Sequence, residues 1–350
     1  MVKISIIVPV YNVHEYIERC ISSIVCQDTR GFEVECIFVN DRTTDDSIEI
    51  VERCLNEYVG DINFKVVNHS QNQGLSVARN TGIKESTGDF LFFVDSDDRL
   101  EPNALKCLIK AIEEQAAFYS NVDVVIGNTY ICKERKNAMP FKGDSPFFID
   151  NSEEEALKKM VDRTLFHTAW NKLVKRDFIL KYNIFFEKGI IDEDLLWSYL
   201  VFLHAKGVLV IPQITYIYED NPGSIMNTSS TRICSRIKSR IKICNTLLDY
   251  PPRLVCEEYY MYIFFVMIRA IDLYEQNKSI VGEYADEVCV LRRRFLERVR
   301  SERKCFLYMF FQVSRKPYYS IFKIRMFRRY FDKIEALVTK MNKLFRWCYF

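Results

Sequence analysis

No stretch of this 350-residue chain is apolar for long enough to cross a membrane as a helix. Its most apolar tail segments, Met261 to Ile268 and Cys305 to Val313, fall well short of the roughly 18–20 residues a span requires. The opening run Met1 to Val10 lacks both the apolar length and the small-residue cleavage site of a secretory leader, so it is expected to enter the fold directly as a strand. Twelve cysteines are scattered singly from Cys20 to Cys348 without a C-x-x-C pair, and the four histidines add no metal-ligand spacing. That pattern suits a reduced compartment. No G-x-G-x-x-G follows the first apolar run and no G-x-x-x-x-G-K-[ST] occurs anywhere, which sets aside dinucleotide-binding and P-loop chemistry. Internal repeats and low-complexity segments are missing as well.

The chain does have 49% hydrophobic residues, enough for one large core or two smaller ones. Its net charge of +2 conceals an asymmetry. Residues 1–230 carry 24 Lys and Arg against 35 Asp and Glu, whereas residues 231–350 carry 25 against 12. Two modules are expected: residues 1–230, divisible near residue 127 into a first and a second half, and a basic helical region over 231–350.

Along the first module, apolar runs alternate with helical periodicities. Ile4 to Val8 reads as a buried strand, and Tyr16, Ile17, Cys20, Ile21 and Ile24 as the inner face of a helix. Val34 to Val39 is a second strand, with Asp45 or Thr44 placed to cap the helix through Ile48, Val51 and Leu55. A third strand, Phe64 to Val67, precedes a polar loop and a helix carrying Val77 to Asn80. Strand, helix, strand, helix is the signature of an α/β doubly wound, mostly parallel sheet with flanking helices. A helix over Asn103 to Gln115 and a strand at Val122 to Ile126 follow. Lys133 to Asp150, with Pro140, Gly143 and Pro146, reads as a loop. Ala169 to Val174 leads into a further helix, Val208 to Ile211 and Thr215 to Tyr218 are strand-like, and from about Thr231 the pattern is helical.

The densest chemical signal is Phe90 to Val94, a buried strand that ends in Asp95-Ser96-Asp97-Asp98. Three carboxylates within four residues repel one another, and hard oxygen ligands at the carboxyl end of a strand suit Mg²⁺ or Mn²⁺ shared with a diphosphate. The same residues also serve as ordinary turn and N-cap residues, so the neighbouring clusters decide between the two readings. Those clusters are Asn40-Asp41 and Glu193-Asp194, each following an apolar segment.

Taken in order, Ser5-Ile6-Ile7-Val8-Pro9-Val10-Tyr11-Asn12, Asn40-Asp41 with Thr44-Asp45, Asn72-Gln73-Gly74-Leu75-Ser76-Val77-Ala78-Arg79-Asn80-Thr81-Gly82, Asp95-Ser96-Asp97-Asp98 and Glu193-Asp194 resemble the successive motifs of family 2 glycosyltransferases of the bacterial capsule and surface-polysaccharide type. These are inverting enzymes of the GT-A fold. The resemblance covers roughly residues 1–225 and implies a nucleotide site built from Pro9, Tyr11, Asn12, Asp41, Arg79, Asp95 and Ser96, with Asp41 facing the uracil ring and Arg79 the diphosphate. It further implies Asp97 as chief metal ligand beside Asp95, and Asp194 as the base that deprotonates the acceptor hydroxyl, with Glu193 as runner-up. A helix N-terminus at Asp194 would favour the ionised carboxylate. Trp170, Asn171 and Lys172 fall where relatives shape the acceptor side.

Two departures from the pattern stand out. Arg42-Thr43 replaces the usual Gly-Ser beside the base pocket, and Glu219 stands where capsule-type relatives carry an arginine. Residues 315–346 contain ten Lys and Arg against two Asp and Glu. Their apolar stripe from Phe327 to Phe345 suits an anionic membrane surface at the inner face of the cell membrane, a homodimer seam, or packing on the chain's own domain. No nucleic-acid recognition module accompanies the basic tail. The expectation is a cytoplasmic, Mn²⁺- or Mg²⁺-dependent transferase moving a sugar from a nucleotide-sugar donor, UDP first, to a glycan or lipid-linked acceptor. Its rival is a catalytically silent nucleotide-sugar binder within a synthesis complex.

Overall fold

The computed structural model describes residues 1–115, 121–132, 136–138, 144–153, 155–161, 164–219, 221, 230–252, 257–277 and 282–301. The basic stretch 315–346, and with it the expected membrane or dimer contact, lies outside these residues. Alternation holds through the first third: β1 (Val2–Val10), α1 (His14–Val25), β2 (Phe32–Asn40), α2 (Ser47–Glu57), β3 (Asn63–Asn68), α3 (Leu75–Glu85) and β4 (Phe90–Phe93). Then come β5 (Arg99–Leu100), α4 (Ala104–Gln115), β6 (Val124–Ile131), β7 (Lys136–Ala138), β8 (Phe147–Asp150) and α5 (Glu155–Val161). The rest comprises β9 (Lys172–Lys175), α6 (Arg176–Lys181), α7 (Glu193–His204), β10 (Gly207–Tyr218), α8 (Ser230–Asp249), α9 (Glu257–Gln276) and α10 (Ala285–Ser301).

The described strands form one mixed sheet in the order β3-β2-β1-β4-β9-β6-β10-β5, with β7 on β6 and β8 on β10. The expected parallel part is β3-β2-β1-β4. Beyond it β9 runs antiparallel to both β4 and β6, and β10 returns parallel to β6. Of the segment expected as a loop, Lys136–Ala138 and Phe147–Asp150 are strands that pair with β6 and β10. Residue 127, where the first module was divided, lies inside β6.

Both faces of the central strands are apolar, so the alternation in β1 and β4 sorts side chains between two layers rather than between core and solvent. Ile4, Ile6, Val8, Phe90, Phe92 and Val94 join one layer with the inner faces of α1 and α4. Ile7, Leu91 and Phe93 join the other, with Ile83 of α3 and the buried faces of α5 and α7 to α10. The C-terminal helices therefore share a core with the sheet. Gly82 marks how closely α3 lies on β1, since a Cβ there would stand 2.2 Å from Ile7 Cγ2. Pro9 is tolerated in a central strand because the β4 ladder ends at Ile7 and Phe93, leaving no partner for the missing N–H. No helix among the described residues is long and apolar enough to cross a membrane.

Candidate active site

Parity carries over from β4 into the turn that follows. Asp95 shares a face with Leu91 and Phe93, the face covered by α3 and α7. There its Oδ1 accepts a hydrogen bond from Arg79 Nη2 of α3 at 2.7 Å. Asp98 shares the opposite face with Phe92 and Val94. Its Oδ2 accepts from the Tyr216 hydroxyl of β10 at 2.8 Å, and its Oδ1 from the Glu219 backbone N–H at 2.9 Å. Tyr216 Oη in turn accepts from the Asp95 N–H at 3.1 Å. The turn is thus strapped to β10, and Asp98 serves as its anchor.

Asp97 is the carboxylate left over. It keeps partial exposure and accepts one hydrogen bond from Asn221 Nδ2 at 2.9 Å. Burial and the neighbouring Asp95 charge push its pKa up, so the turn holds more negative charge than its surroundings neutralise. Asp97, together with the Asp95 oxygen that Arg79 does not hold, is a hard-oxygen donor set that a divalent ion relieves, and the pair fits Mg²⁺ or Mn²⁺ on this ground. Among the described residues the group of three possible ligands that lies within metal-binding reach of one another is His14 with Asp45 and Asp46. It is exposed, and Asp45 is already engaged by Thr43, Ser47 and the His14 N–H.

At the end of β2, Asp41 is 3% exposed and heavily used. Its Oδ1 meets His69 Nδ1 at 2.7 Å and the Gln73 N–H at 2.8 Å, while Oδ2 accepts from the Gly74 N–H at 2.7 Å. Gly74, at φ 88°, is the N-cap of α3, so Asp41 ties the α3 entrance to the β2 end. Four lone-pair positions less three partners leave one, on Oδ2, for a ligand donor. Tyr11, 44% exposed, stands beside this floor, and Pro9 is buried beneath. Asn12 zips the adjoining loops: its Oδ1 accepts from the Thr44 N–H at 3.0 Å and its own N–H donates to Thr43 Oγ1 at 2.8 Å. Ser96 is buried in the Asp95 turn. Arg42 takes the left-handed conformation, φ 60°, which a glycine would adopt without strain.

The decisive arrangement is at Asp192-Glu193-Asp194. Asp192 has φ 61° and binds Arg240 Nη2 of α8 through its Oδ2 at 2.6 Å. Glu193 Oε1 binds Arg79 Nη1 at 2.5 Å. The Asp194 carboxylate makes no hydrogen bond with any described residue and keeps partial exposure. Burial raises its pKa to about 6, against the nearby positive charges of Arg79 and Lys172. The helix N-terminus thus does not keep this carboxyl in its ordinary range, because desolvation outweighs the dipole. At neutral pH Asp194 is still mostly ionised. Burial pushes Glu193 up too, with Arg79 opposing.

Arg79 itself is only 2% exposed and lies over the Phe186 ring at 5.2 Å. Phe186 stacks on Trp197 at 4.9 Å, and Phe93 meets both rings edge-on. Asn80 fixes this floor by pairing its amide with the backbone of Phe186, 2.8 Å in each direction. Lys172, 1% exposed, donates to the Thr168 carbonyl and lies 5.9 Å from the Phe202 ring. Burial lowers its pKa to about 7.

The structure therefore gathers Asp95, Arg79, Glu193, Asp194 and Lys172 around one centre, with Asp97 on the same turn as Asp95. It directs Asn171 elsewhere: the amide bonds Gly127 O, Asn128 O and Thr129 Oγ1, and Oδ1 accepts from Thr215, so Asn171 knits β6 to β10. Trp170 lies flat on Tyr216 at 4.5 Å and on Tyr218 at 5.7 Å. Glu219 accepts from Arg99 Nε at 2.6 Å. Sequence reasoning passed over His69, Phe186 and Arg240. His69 had a signal, as the first residue beyond β3 at its carboxyl end. Arg240, one of many basic residues on a helix, had none.

Residues 5–181 match the family model described as Glycosyl transferase family 2. Glycosyltransferase GlyA of Streptococcus pneumoniae serotype 4 is 34% identical over 231 residues, which cover 64% of this chain and 31% of that protein. The chain thus spans less than a third of that relative's length. The crystal structure of S. aureus TarS 1-349 in complex with UDP-GlcNAc shares the fold, with TM-score 0.61, 21% identity and coverage of 85% of this chain and 81% of that one. Mannosyltransferase PcManGT from Pyrobaculum calidifontis, in complex with GDP-Man and Mn²⁺, aligns with TM-score 0.50, 14% identity and coverage of 89% and 82%.

Proposed function

The chain belongs to glycosyl transferase family 2, and from that membership we propose that it is a metal-dependent inverting glycosyltransferase. It moves a sugar from a nucleoside diphosphate, UDP first, to a glycan or lipid-linked glycan in surface polysaccharide synthesis. A lipid-linked acceptor would bring it to the inner face of the cell membrane. One observation carries the reading. Of three consecutive acids, two are tied to arginines, and the third, Asp194, has a carboxylate that bonds no described residue and a pKa near the working range of a general base.

Tyr11 and Pro9 form the floor for the base, with Asn12 at its edge, and the free position on Asp41 takes a ring N–H. A donor lacking that N–H would leave a buried acceptor unpaired, which is a strong basis for selection. Asp95 and Ser96 lie toward the ribose. Arg79 holds Asp95 and Glu193 apart and supplies positive charge near the diphosphate. Asp95 and Asp97 would hold the divalent ion, which when bound offsets charge on the departing diphosphate. Trp170 and Lys172 border the acceptor side. Asp194 accepts the hydroxyl proton as the acceptor oxygen bonds to the anomeric carbon. The bond from that carbon to phosphate oxygen breaks with its electron pair going to the nucleotide. A single displacement of this kind inverts the anomeric centre.

Incubation with a panel of nucleotide sugars, Mn²⁺ and glycan or lipid-linked acceptors tests this. UDP release is expected with one UDP-sugar, and its α anomer should yield a β-linked product by NMR. Asp97→Asn should slow release by about a hundredfold or more and abolish its dependence on Mn²⁺. Nucleotide-sugar binding without release under any condition would favour the silent-binder reading instead, and unaltered Mn²⁺ dependence would remove Asp97.

A further inference from the structure

The family match ends at residue 181, and the base-bearing turn lies beyond it. Besides Arg79 of α3, what holds that turn comes from the C-terminal helices. Arg240 Nη2 of α8 donates to Asp192 Oδ2 at 2.6 Å, in an ion pair whose side chains are 16% and 11% exposed. Ser239, the residue before it, accepts the Ile191 N–H at 2.9 Å. From α9, the Tyr262 hydroxyl donates to the Leu195 carbonyl at 2.7 Å. Lys242 pairs with Glu187 at 2.5 Å, before the turn. These contacts bracket Asp194 on both sides in sequence. Asp192 meanwhile holds φ 61°, a left-handed backbone that a non-glycine residue keeps only where its surroundings enforce it.

We propose that the Arg240–Asp192 ion pair, with Ser239 and Tyr262, fastens the turn so that the C-terminal helices position the Asp194 carboxylate for proton abstraction. The helical region is then part of the catalytic apparatus, and Arg240 is a positioning residue acting through Asp192. Arg79 does the corresponding work from the other side through Glu193. Each of the two acids before Asp194 is held by one arginine, and Asp194 itself is hydrogen-bonded to neither. This inference rests on Asp194 being the base of the proposed reaction.

The groups that face Asp194 are Arg79 and Asp95, Lys172 from β9, Asp192 and Glu193 of its own turn, and Tyr262 from α9. Asp192's negative charge raises the Asp194 pKa, and the Arg240 guanidinium paired with it at 2.6 Å carries the opposing charge. Breaking the pair from opposite ends therefore has opposite electrostatic consequences. Arg240→Gln leaves Asp192 uncompensated, and the acidic limb of the kcat–pH profile moves to higher pH. Asp192→Asn, which keeps a residue tolerant of the left-handed backbone, leaves Arg240 uncompensated and moves the limb to lower pH. Both are expected to lower kcat at its pH optimum, by up to about a hundredfold if the carboxylate shifts by an ångström. UDP affinity by calorimetry should stay at the parent value, and Arg240→Lys should recover part of kcat. Deuterium uptake over residues 189–195 should rise in Arg240→Gln.

The proposal is overturned if kcat is unchanged in both variants, if kcat falls only in step with UDP affinity, or if the two acidic limbs move together. A protein whose parent form turns over while Asp194→Asn does too would sink the base assignment instead. Unchanged deuterium uptake in Arg240→Gln overturns the fastening whatever the turnover.

Discussion

Asp194 is held by the fold at a cost. Its carboxyl is pushed from an ordinary 3.8 to about 6 by burial, so the folded state prefers it protonated. Stability due to this group is full below about pH 4 and is lost as pH rises through about 6. A shift of about two units corresponds to about 3 kcal/mol, and partial exposure reduces that to about 1–3 kcal/mol. Asp194→Asn should therefore raise the thermal midpoint at pH 7.5 and leave it nearly unchanged at pH 4. An equal gain at both would mean that the substitution acts through packing. In the proposed reaction the residue that takes the proton is also one that lowers stability, as expected where a charge is kept desolvated for chemistry. Lys172 is the complementary case, a buried cation lowered to about 7 whose one nearby anion among the described residues is Asp194.

At the scale of elements, the turn after β4 depends on Tyr216. Its hydroxyl accepts from the Asp95 N–H and donates to Asp98, so Tyr216→Phe strands a buried carboxylate oxygen and a backbone donor together. A loss of about 1–3 kcal/mol is expected in denaturant unfolding, with aromatic stacking on Trp170 retained. An unchanged midpoint would show that Glu219 and Asn221 hold the turn without it. The strands of the parallel part were legible in sequence because β4 is an unbroken apolar run and β1 and β2 are mostly apolar, interrupted by Ser5 in the one and by Glu33 and Glu35 in the other. β9 was not. Its four residues, Lys172-Leu173-Val174-Lys175, look like the approach to a helix, yet they fill the centre of the sheet between β4 and β6 with a lysine inside. β10 was read as two strands because Pro212 interrupts it; the strand continues through a register irregularity between Val210 and Ile214. β7 and β8 were hidden by Pro140, Gly143 and Pro146, turn signals that drew the short strands on either side of them into one expected loop.

For the whole molecule, the candidate site is where distant segments meet. Motif order marked Asp41, Asp95, Asp97 and Asp194, because each follows a strand or opens a helix whose ends converge on one edge of the sheet. Pairing across the molecule was not legible. Nothing in the local sequence says that Arg79 is spent on Asp95 and Glu193, that Asp41 is nearly saturated by His69 and the α3 entrance, or that α8 reaches back to Asp192. Those facts follow from which faces the strands present and which helices cover them, and they convert a row of three acids into three different roles. The most direct test compares Asp194→Asn with Glu193→Gln for turnover and for UDP affinity in Mn²⁺. Asp194→Asn should lose turnover by about a thousandfold or more while binding UDP like the parent, and Glu193→Gln should retain measurable turnover. Full activity in Asp194→Asn, or its loss in Glu193→Gln alone, would contradict the account.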